Sequence, residues 1–405
     1  MSLDPSSTLD ALHLRSASTA PDVLARDESF WSAVAAEFVA PSEFIHLEYG
    51  YYHPACRGVI AAEIAALHHS QRYGAHYKRT QRDADYEAAR ADLARLAGAD
   101  PAEVVITRNA TEALNIVIHG LPLNRGDEIV CSSLDYGSMT EAWEQRARRD
   151  GLILHRVDLP LDPASDADIV DRFAAALTPR TRVLHLTHLI NFTGHLLPVA
   201  QLCTLARARG IETVVDAAHS FAHIDFTPAA LGCDYLGASL HKWLAAPLGT
   251  GLLYVKRDRV AALSPLFGDT QRAAGDIRKL EHFGNRPDSA PAGLREAIRW
   301  HDAFGGAAAK HARLHLLQRR WTDAARQLPR VQLLTPRDPS RHGAIGAFTI
   351  EGLSPRTLVD RLMDDHGIFV NAFDTPLPAV RVTPGVHTPL AHLDRLVTAL
   401  KSLAP

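Results

Sequence analysis

The 405-residue chain is predicted to be an α/β protein: a seven-stranded, mainly parallel sheet with helices on both faces, followed by a smaller α+β C-terminal domain. Three observations carry that expectation. Short apolar runs centred on Val104, Ile129, Leu152, Val183, Val214, Tyr235 and Leu252 alternate, for the most part, with helical patterns, as in parallel strands covered on both faces. A hydrophobic fraction of 46% over this length supports two domains and a substantial core. Past residue 292 a long helical stretch gives way to four further strand-like runs and two helices, a change of pattern that marks a second unit.

In chain order, Met1 to Asp27, rich in Ser, Ala, Asp and Pro, reads as a mobile lead-in or a short surface helix. Phe30–Phe38 carries apolar residues at helical spacing, and Phe44–Pro54 has strand character broken by Gly50 and ended by Pro54. Asp85–Ala97 is an amphipathic helix with Tyr86, Ala89, Leu93 and Leu96 on one face, stopped by Gly98. Val104–Thr107 is the first core strand. Asn109 and Glu112, spaced as a capping box, then start a helix over Ala110–His119, and such a start either merely caps the helix or also binds an anion. Strands follow at Glu128–Ser132, Leu152–Val157 and Arg182–Thr187, with a helix over Ile169–Leu177 that stops before Pro179. Leu202–Arg209 is helical and delivers the chain to a strand at Thr213–Val215.

Beyond Pro265 the chain turns irregular through Gly268–Thr270 and Phe283–Pro287. Leu294–Leu328 is helical with an interruption at Gly305-Gly306, strands fall near Val331, Phe348, Ile368 and Val380, and helices span Pro355–His366 and Pro389–Leu403. The division expected is an N-terminal segment, 1–40, packing with the small domain; a large domain, 41–292; and a small domain, 293–405.

The chemistry centres on Ala238–Val255, where Lys242 stands among apolar and small residues between two strand-like runs. Burying an ammonium is costly, and desolvation lowers its pKa toward the free amine that attacks carbonyls. A snorkelling or paired lysine is the alternative. Asp216 lies at the carboxyl end of a short apolar strand, where α/β sheets place their ligands. A carboxylate for a pyridinium and a lysine for an imine are the two groups pyridoxal 5′-phosphate (PLP) needs most.

Asp216-Ala-Ala-His219, followed by Ser239-Leu-His-Lys242-Trp and Gly249-Thr-Gly251, resembles the class V aminotransferase branch of the fold-type I PLP-dependent enzymes, and within it the isopenicillin N epimerase-like proteins. The likeness runs over roughly Phe44 to Leu400. It implies that 41–292 binds PLP through Lys242, that Ala110 and Thr111 hold the phosphate, and that Tyr136 stacks on the ring. Asn191 would meet the phenolic oxygen, with His219 as its buttress, Asp216 the ring nitrogen, and Ser239 and His241 the phosphate or the cofactor's orientation. Asn285 stands where the family has a threonine that reaches a neighbouring subunit's phosphate, so a homodimer with its active site at the interface is implied. Arg381, in Val380-Arg-Val-Thr-Pro384, takes the place of the arginine that forks onto the substrate carboxylate. Tyr49, Tyr51 and His53 either touch substrate from an entry loop or form a packed aromatic turn.

The resemblance implies an enzyme acting at the α-carbon of an amino acid, as an aminotransferase or an epimerase. A C–S lyase is the alternative, and a non-catalytic PLP-binding regulatory protein a second. Cysteine desulfuration is disfavoured because Gly367–Pro384 contains no cysteine and Tyr136 replaces the desulfurases' histidine. A formal charge of −3 gives nucleic acid no electrostatic support. Neither G-x-G-x-x-G after the first strand nor a P-loop occurs, which removes the dinucleotide and nucleotide readings. Four widely spaced cysteines suit a reducing, cytoplasmic setting. Despite 22 histidines no H-E-x-x-H occurs, and no metal site is expected. No membrane span is expected either.

Overall fold

The computed structural model describes residues 5–269 and 271–404. Met1–Asp4, part of the expected lead-in, and Thr270, part of the irregular stretch after Pro265, lie outside the described residues. The seven expected core strands form one sheet: β1 (Val104–Thr107), β2 (Glu128–Ser132), β3 (Ile153–Val157), β4 (Thr181–Thr187), β5 (Glu212–Asp216), β6 (Tyr235–Ser239) and β7 (Gly251–Val255). Their spatial order is β1-β7-β6-β5-β4-β2-β3, and only β7 runs antiparallel to its neighbours. Alternate residues enter opposite apolar layers. Val105, Ile129, Val183, Val214 and Leu253 pack on one side; Val104, Ile106, Val130, Leu184, Val215 and Leu252 pack on the other. Both faces are therefore dry, which is why the strands read as continuous apolar runs.

The helix Ala110–Gly120 lies across β6 and β7, and two glycines let it approach. A Cβ on Gly237 would fall 2.7 Å from Leu114 Cγ, and one on Gly251 would fall 2.6 Å from the Asn109 backbone nitrogen. The first contact seats the helix; the second brings its N-terminus to the start of β7.

The C-terminal region has a four-stranded antiparallel sheet ordered Asn371–Phe373, Ala379–Val382, Gly346–Ile350, Val331–Leu333. Ile368–Phe369 does not join it. That pair runs parallel to Ile45–His46 instead, so the segment entering the large sheet region is tied to the small one. The long helical stretch breaks where expected: Ala290–Ala303 ends and Gly306–Ala325 begins around Gly305 (φ 90°) and Gly306 (φ 67°), left-handed values that suit glycine. Two helices, Arg57–Tyr73 and Ala75–Thr80, were not foreseen. The first exposes Ile60, Ile64 and Leu67, so its apolar residues do not sort to one buried face. The helix Pro5–Ala17 packs on Ala290–Ala303, and Pro21–Leu24 packs on Gly306–Ala325. Among the described residues no helix is long and apolar enough to cross a membrane.

Many histidines are interior. Burial pushes His185, His188, His195 and His342 each down to about 4. Folded, these rings stay neutral, while the unfolded chain binds protons near pH 6.5, so the unfolded state gains protons first as pH falls. Stability is therefore expected to be fully present above about pH 6.5 and to decline progressively toward about pH 4. Urea or thermal unfolding across that window tests this, and a flat profile would contradict it.

Candidate active site

The carboxyl ends of the parallel strands gather most of the residues singled out in the sequence. Asp216 ends β5, Ser239 ends β6, Asn191 lies in the loop after β4 and Tyr136 follows β2. In register, Thr187 pairs with Asp216 and Asp216 with Gly237, so these ends form one edge. Because these strands run parallel, the loops that follow their carboxyl ends lie on that same side.

The N-cap of the helix Ala110–Gly120 is Asn109, whose Oδ1 accepts from the Glu112 N–H at 2.8 Å. The reciprocal half of the expected capping box is absent. Glu112 instead accepts from the Arg108 backbone N–H at 2.7 Å and from the Arg108 side chain, because the extended backbone at Asn109 turns its own N–H elsewhere. Ser239 Oγ accepts from the Ala110 N–H at 2.9 Å, which leaves the hydroxyl proton free to point at an anion beside Thr111.

Lys242 sits in a tight turn from Leu240 to Ala246, closed by Ala246 N–H donating to the Leu240 carbonyl at 3.1 Å. Ala245 adopts a left-handed φ of 56°, a strained value for a residue with a Cβ. The Lys242 Nζ lies 2.9 Å from His219 Nε2. Its pKa falls to about 8: desolvation lowers it most, nearby Arg381 lowers it further, and Asp216 and Glu48 pull the other way. Asp216 is buried and accepts from the Ala218 N–H at 2.8 Å through Oδ1; burial raises its pKa. Beneath it Asp135, also buried, ties β2 to β4 by accepting from Ser132 N–H at 2.7 Å and Thr187 N–H at 3.2 Å, and burial lifts it to about 6.

Arg381 reaches the edge from the small sheet. It is 3% exposed and its guanidinium is already engaged: Nε donates to Glu48 Oε2 at 3.3 Å, Nη2 to Glu48 Oε1, and Nη1 to the Asn191 carbonyl at 3.0 Å. Glu48 is itself 6% exposed. The fork expected to meet a substrate carboxylate thus holds a carboxylate of the chain.

Three expected residues stand apart from this group. Tyr51 is 76% exposed. The His53 ring is buried among Phe38, Tyr49 and His387, with Nδ1 2.9 Å from the Pro54 carbonyl; only its backbone N–H reaches the active-site loop, at the His241 carbonyl. Asn285 is exposed and accepts from Lys78 Nζ at 3.3 Å. Glu48, Asp135 and Trp243 were not foreseen as site groups. Trp243 directly follows Lys242, so its position was the one available signal; Glu48 and Asp135 reach the edge by contacts distant in sequence.

The site's polar inventory suits a ring-and-phosphate cofactor. Thr187 Oγ1, Asn191 Oδ1 and His241 Nδ1 are buried without hydrogen-bond partners along the edge that carries Lys242 and Asp216. An amine, a carboxylate, a helix N-terminus with a hydroxyl and these unpaired groups match an aldehyde, a pyridine nitrogen, a phosphate and a phenolic oxygen in turn. Tyr136, half exposed beside them, can offer its ring face.

Such a fold and donor set define a fold-type I PLP-dependent enzyme. A solved structure of a C-DES mutant with glycine covalently linked to its PLP cofactor has the same fold, with a TM-score of 0.78, 23% identity, and coverage of 89% of this chain and 97% of that one. More specifically, the chain belongs to the Aminotransferase class-V family, which matches residues 57–375. It is 35% identical over 337 residues to isopenicillin N epimerase of Streptomyces clavuligerus, covering 78% of this chain and 83% of that protein. It is also 29% identical over 317 residues to a probable cysteine desulfurase of Synechocystis sp., covering 74% and 73%.

The Arg381–Glu48 pair yields a stability prediction. Removing one partner of a buried ion pair leaves the other charge uncompensated, at a cost of about 3–5 kcal/mol. Glu48→Ala is expected to lower the unfolding free energy by that order, and Glu48→Gln by less because its amide oxygen still accepts. Equilibrium denaturation of both variants checks this; an Ala variant as stable as the native chain would show that the pair contributes nothing.

Proposed function

We propose that this class V enzyme acts at the α-carbon of an amino acid, as an epimerase or an aminotransferase, with Lys242 as the base. The observation that supports this most is an amine lowered to about 8 at the strand edge that also carries the buried carboxylate of Asp216. When bound, PLP supplies a conjugated ring that takes up the electrons left when the α-carbon loses its proton. Asp216 suits the ring nitrogen, since an anion there keeps that nitrogen protonated. Lys242, whose pKa lies at about 8, removes the proton from the α-carbon; for transamination it would return that proton at the cofactor's carbonyl carbon, whereas epimerisation needs a second donor on the opposite face, a role for which Tyr51 of the entry loop is the candidate. Thr111 and Ser239 hold the phosphate by N–H and O–H donation, Ala110 supports them by fixing Ser239 Oγ with its own N–H, Asn191 and His219 flank the phenolic oxygen, His241 orients the cofactor, and Tyr136 covers one ring face.

Arg381 receives the substrate carboxylate by exchanging Glu48 for it, and Tyr51 contributes from the entry loop, with His53 supporting that loop from within. The same proposal includes a cytoplasmic homodimer in which Asn285 reaches the neighbouring subunit's phosphate, and a boundary between large and small domains near residue 292.

Persulfide-forming desulfuration fits poorly. All four cysteines are buried, and burial pushes the Cys56 and Cys203 thiols up to about 12, far from the thiolate that accepts sulfur. A C–S lyase that releases its sulfur product directly needs no such thiol, and the cysteine desulfurase relative supports that second reading.

Borohydride reduction of the PLP-loaded protein is expected to bleach its visible band and leave a stable label on Lys242, and Lys242→Ala to lose turnover altogether. A label mapped to another lysine would sink the assignment. Single amino acids in deuterated water then separate the reactions. Inversion with α-deuteration and no 2-oxo acid marks an epimerase, dependence on a 2-oxo acid marks an aminotransferase, and sulfide release marks the lyase.

A further inference from the structure

The contacts around His219 determine which of its nitrogens carries the proton. Trp243 Nε1 lies 3.3 Å from His219 Nδ1, and an indole N–H can only donate. Nδ1 must therefore present its lone pair, which excludes both the imidazolium and the Nδ1–H tautomer. The single ring proton is left on Nε2, 2.9 Å from the Lys242 amine. Two arrangements are open to an isolated lysine–histidine pair: an ammonium donating to the imidazole, or an imidazole donating to a neutral amine. The indole closes the first, because an ammonium has three donors and no acceptor and would meet Nε2–H donor to donor.

Both backbones are held in place. The Trp243 carbonyl accepts from the buried Lys310 Nζ, which also lies 3.2 Å from His301 Nδ1. His223 Nδ1 donates to the His219 carbonyl at 2.9 Å while its Nε2 accepts from the Ala344 N–H at 3.0 Å. The charged and titratable groups facing the pair are Asp216 and Glu48, which favour an ammonium, and Arg381, which opposes one; His223 and His241 are neutral neighbours.

We propose that Trp243 is a positioning residue: its indole N–H locks His219 with the proton on Nε2, and the locked imidazole, able to donate to an amine but not to accept from an ammonium, shifts Lys242 toward the free amine. The proposal rests on Lys242 being the cofactor lysine. It extends that reading by naming a contact that works against the charging of this amine by the two neighbouring carboxylates.

The tautomer is read directly in the full-length, cofactor-free native chain by 15N NMR of histidine-labelled protein, with His219→Gln assigning the signal. An acceptor-type Nδ1 and a protonated Nε2 are expected; a proton on Nδ1 overturns the proposal without any variant having to fold. The second measurement is the pH dependence of the rate at which cofactor-free protein combines with PLP. Trp243→Phe keeps an aromatic ring and removes the donor. It is expected to move the midpoint up by about one pH unit, roughly a tenfold loss of free amine at neutral pH. In a His219→Leu background no polar ring remains for the indole to orient, so Trp243→Phe should then change nothing. An equal shift in both backgrounds would mean that the indole acts through packing alone, and would refute the lock. If borohydride label falls on another lysine while the tautomer is as stated, the functional reading fails and the hydrogen-bond assignment stands.

Discussion

The hydrogen bond between Lys242 Nζ and His219 Nε2 joins the loop after β6 to the loop after β5, and the other active-site contacts are arranged around keeping it. Asp216 and Glu48 draw a proton toward the amine, whereas burial and Arg381 push one away. The balance leaves an amine whose pKa is lowered to about 8. Parallel strands make this possible, since their carboxyl ends deliver several loops to one side and the dry sheet beneath supplies little water.

The same economy of charge governs the link to the small domain. Arg381 reaches into the site as a cation but is neutralised by Glu48, close to where the chain enters the large sheet region, and by the Asn191 carbonyl. Thr383 Oγ1 donates to Glu48 as well, at 3.2 Å. The ion pair and the strand pairing of Ile45–His46 with Ile368–Phe369 therefore anchor one short segment twice. Any anion that approaches Arg381 has to compete with a carboxylate already in place.

The abundance of histidine acquires a physical meaning in the fold. Rings that composition alone would scatter over the surface are interior, neutral and packed on other rings: His387 is stacked on Phe38, with ring centroids 4.3 Å apart, and His223 lies tilted against Trp243 at 4.2 Å. Neutral imidazoles fill space while satisfying backbone groups, as His223 does between His219 and Ala344. Among the described residues no group of three or more His, Cys, Asp or Glu side chains is placed to hold a metal ion.

The seven core strands and the break at Gly305-Gly306 were legible in the sequence, as were the positions of Asp216, Ser239 and Lys242 at strand ends, because each depends on local pattern: apolar runs, left-handed glycines, residues at the close of a run. The helix Arg57–Tyr73 was not foreseen although Ile60, Ile64 and Leu67 stand at helical spacing, and only the fold shows that this apolar stripe is exposed. The strand at Ile368 was legible, but its partner was not, since pairing is chosen among distant edges. Roles within the site divide the same way. An amine and a carboxylate can be recognised one residue at a time. That Arg381 is already paired, that His53 turns inward, and that an indole dictates where a histidine keeps its proton follow only from which atoms the folded chain brings within hydrogen-bonding distance. Hydrogen bonds and ion pairs act over a few ångströms between residues up to hundreds apart in the chain, so tertiary structure alone decides them.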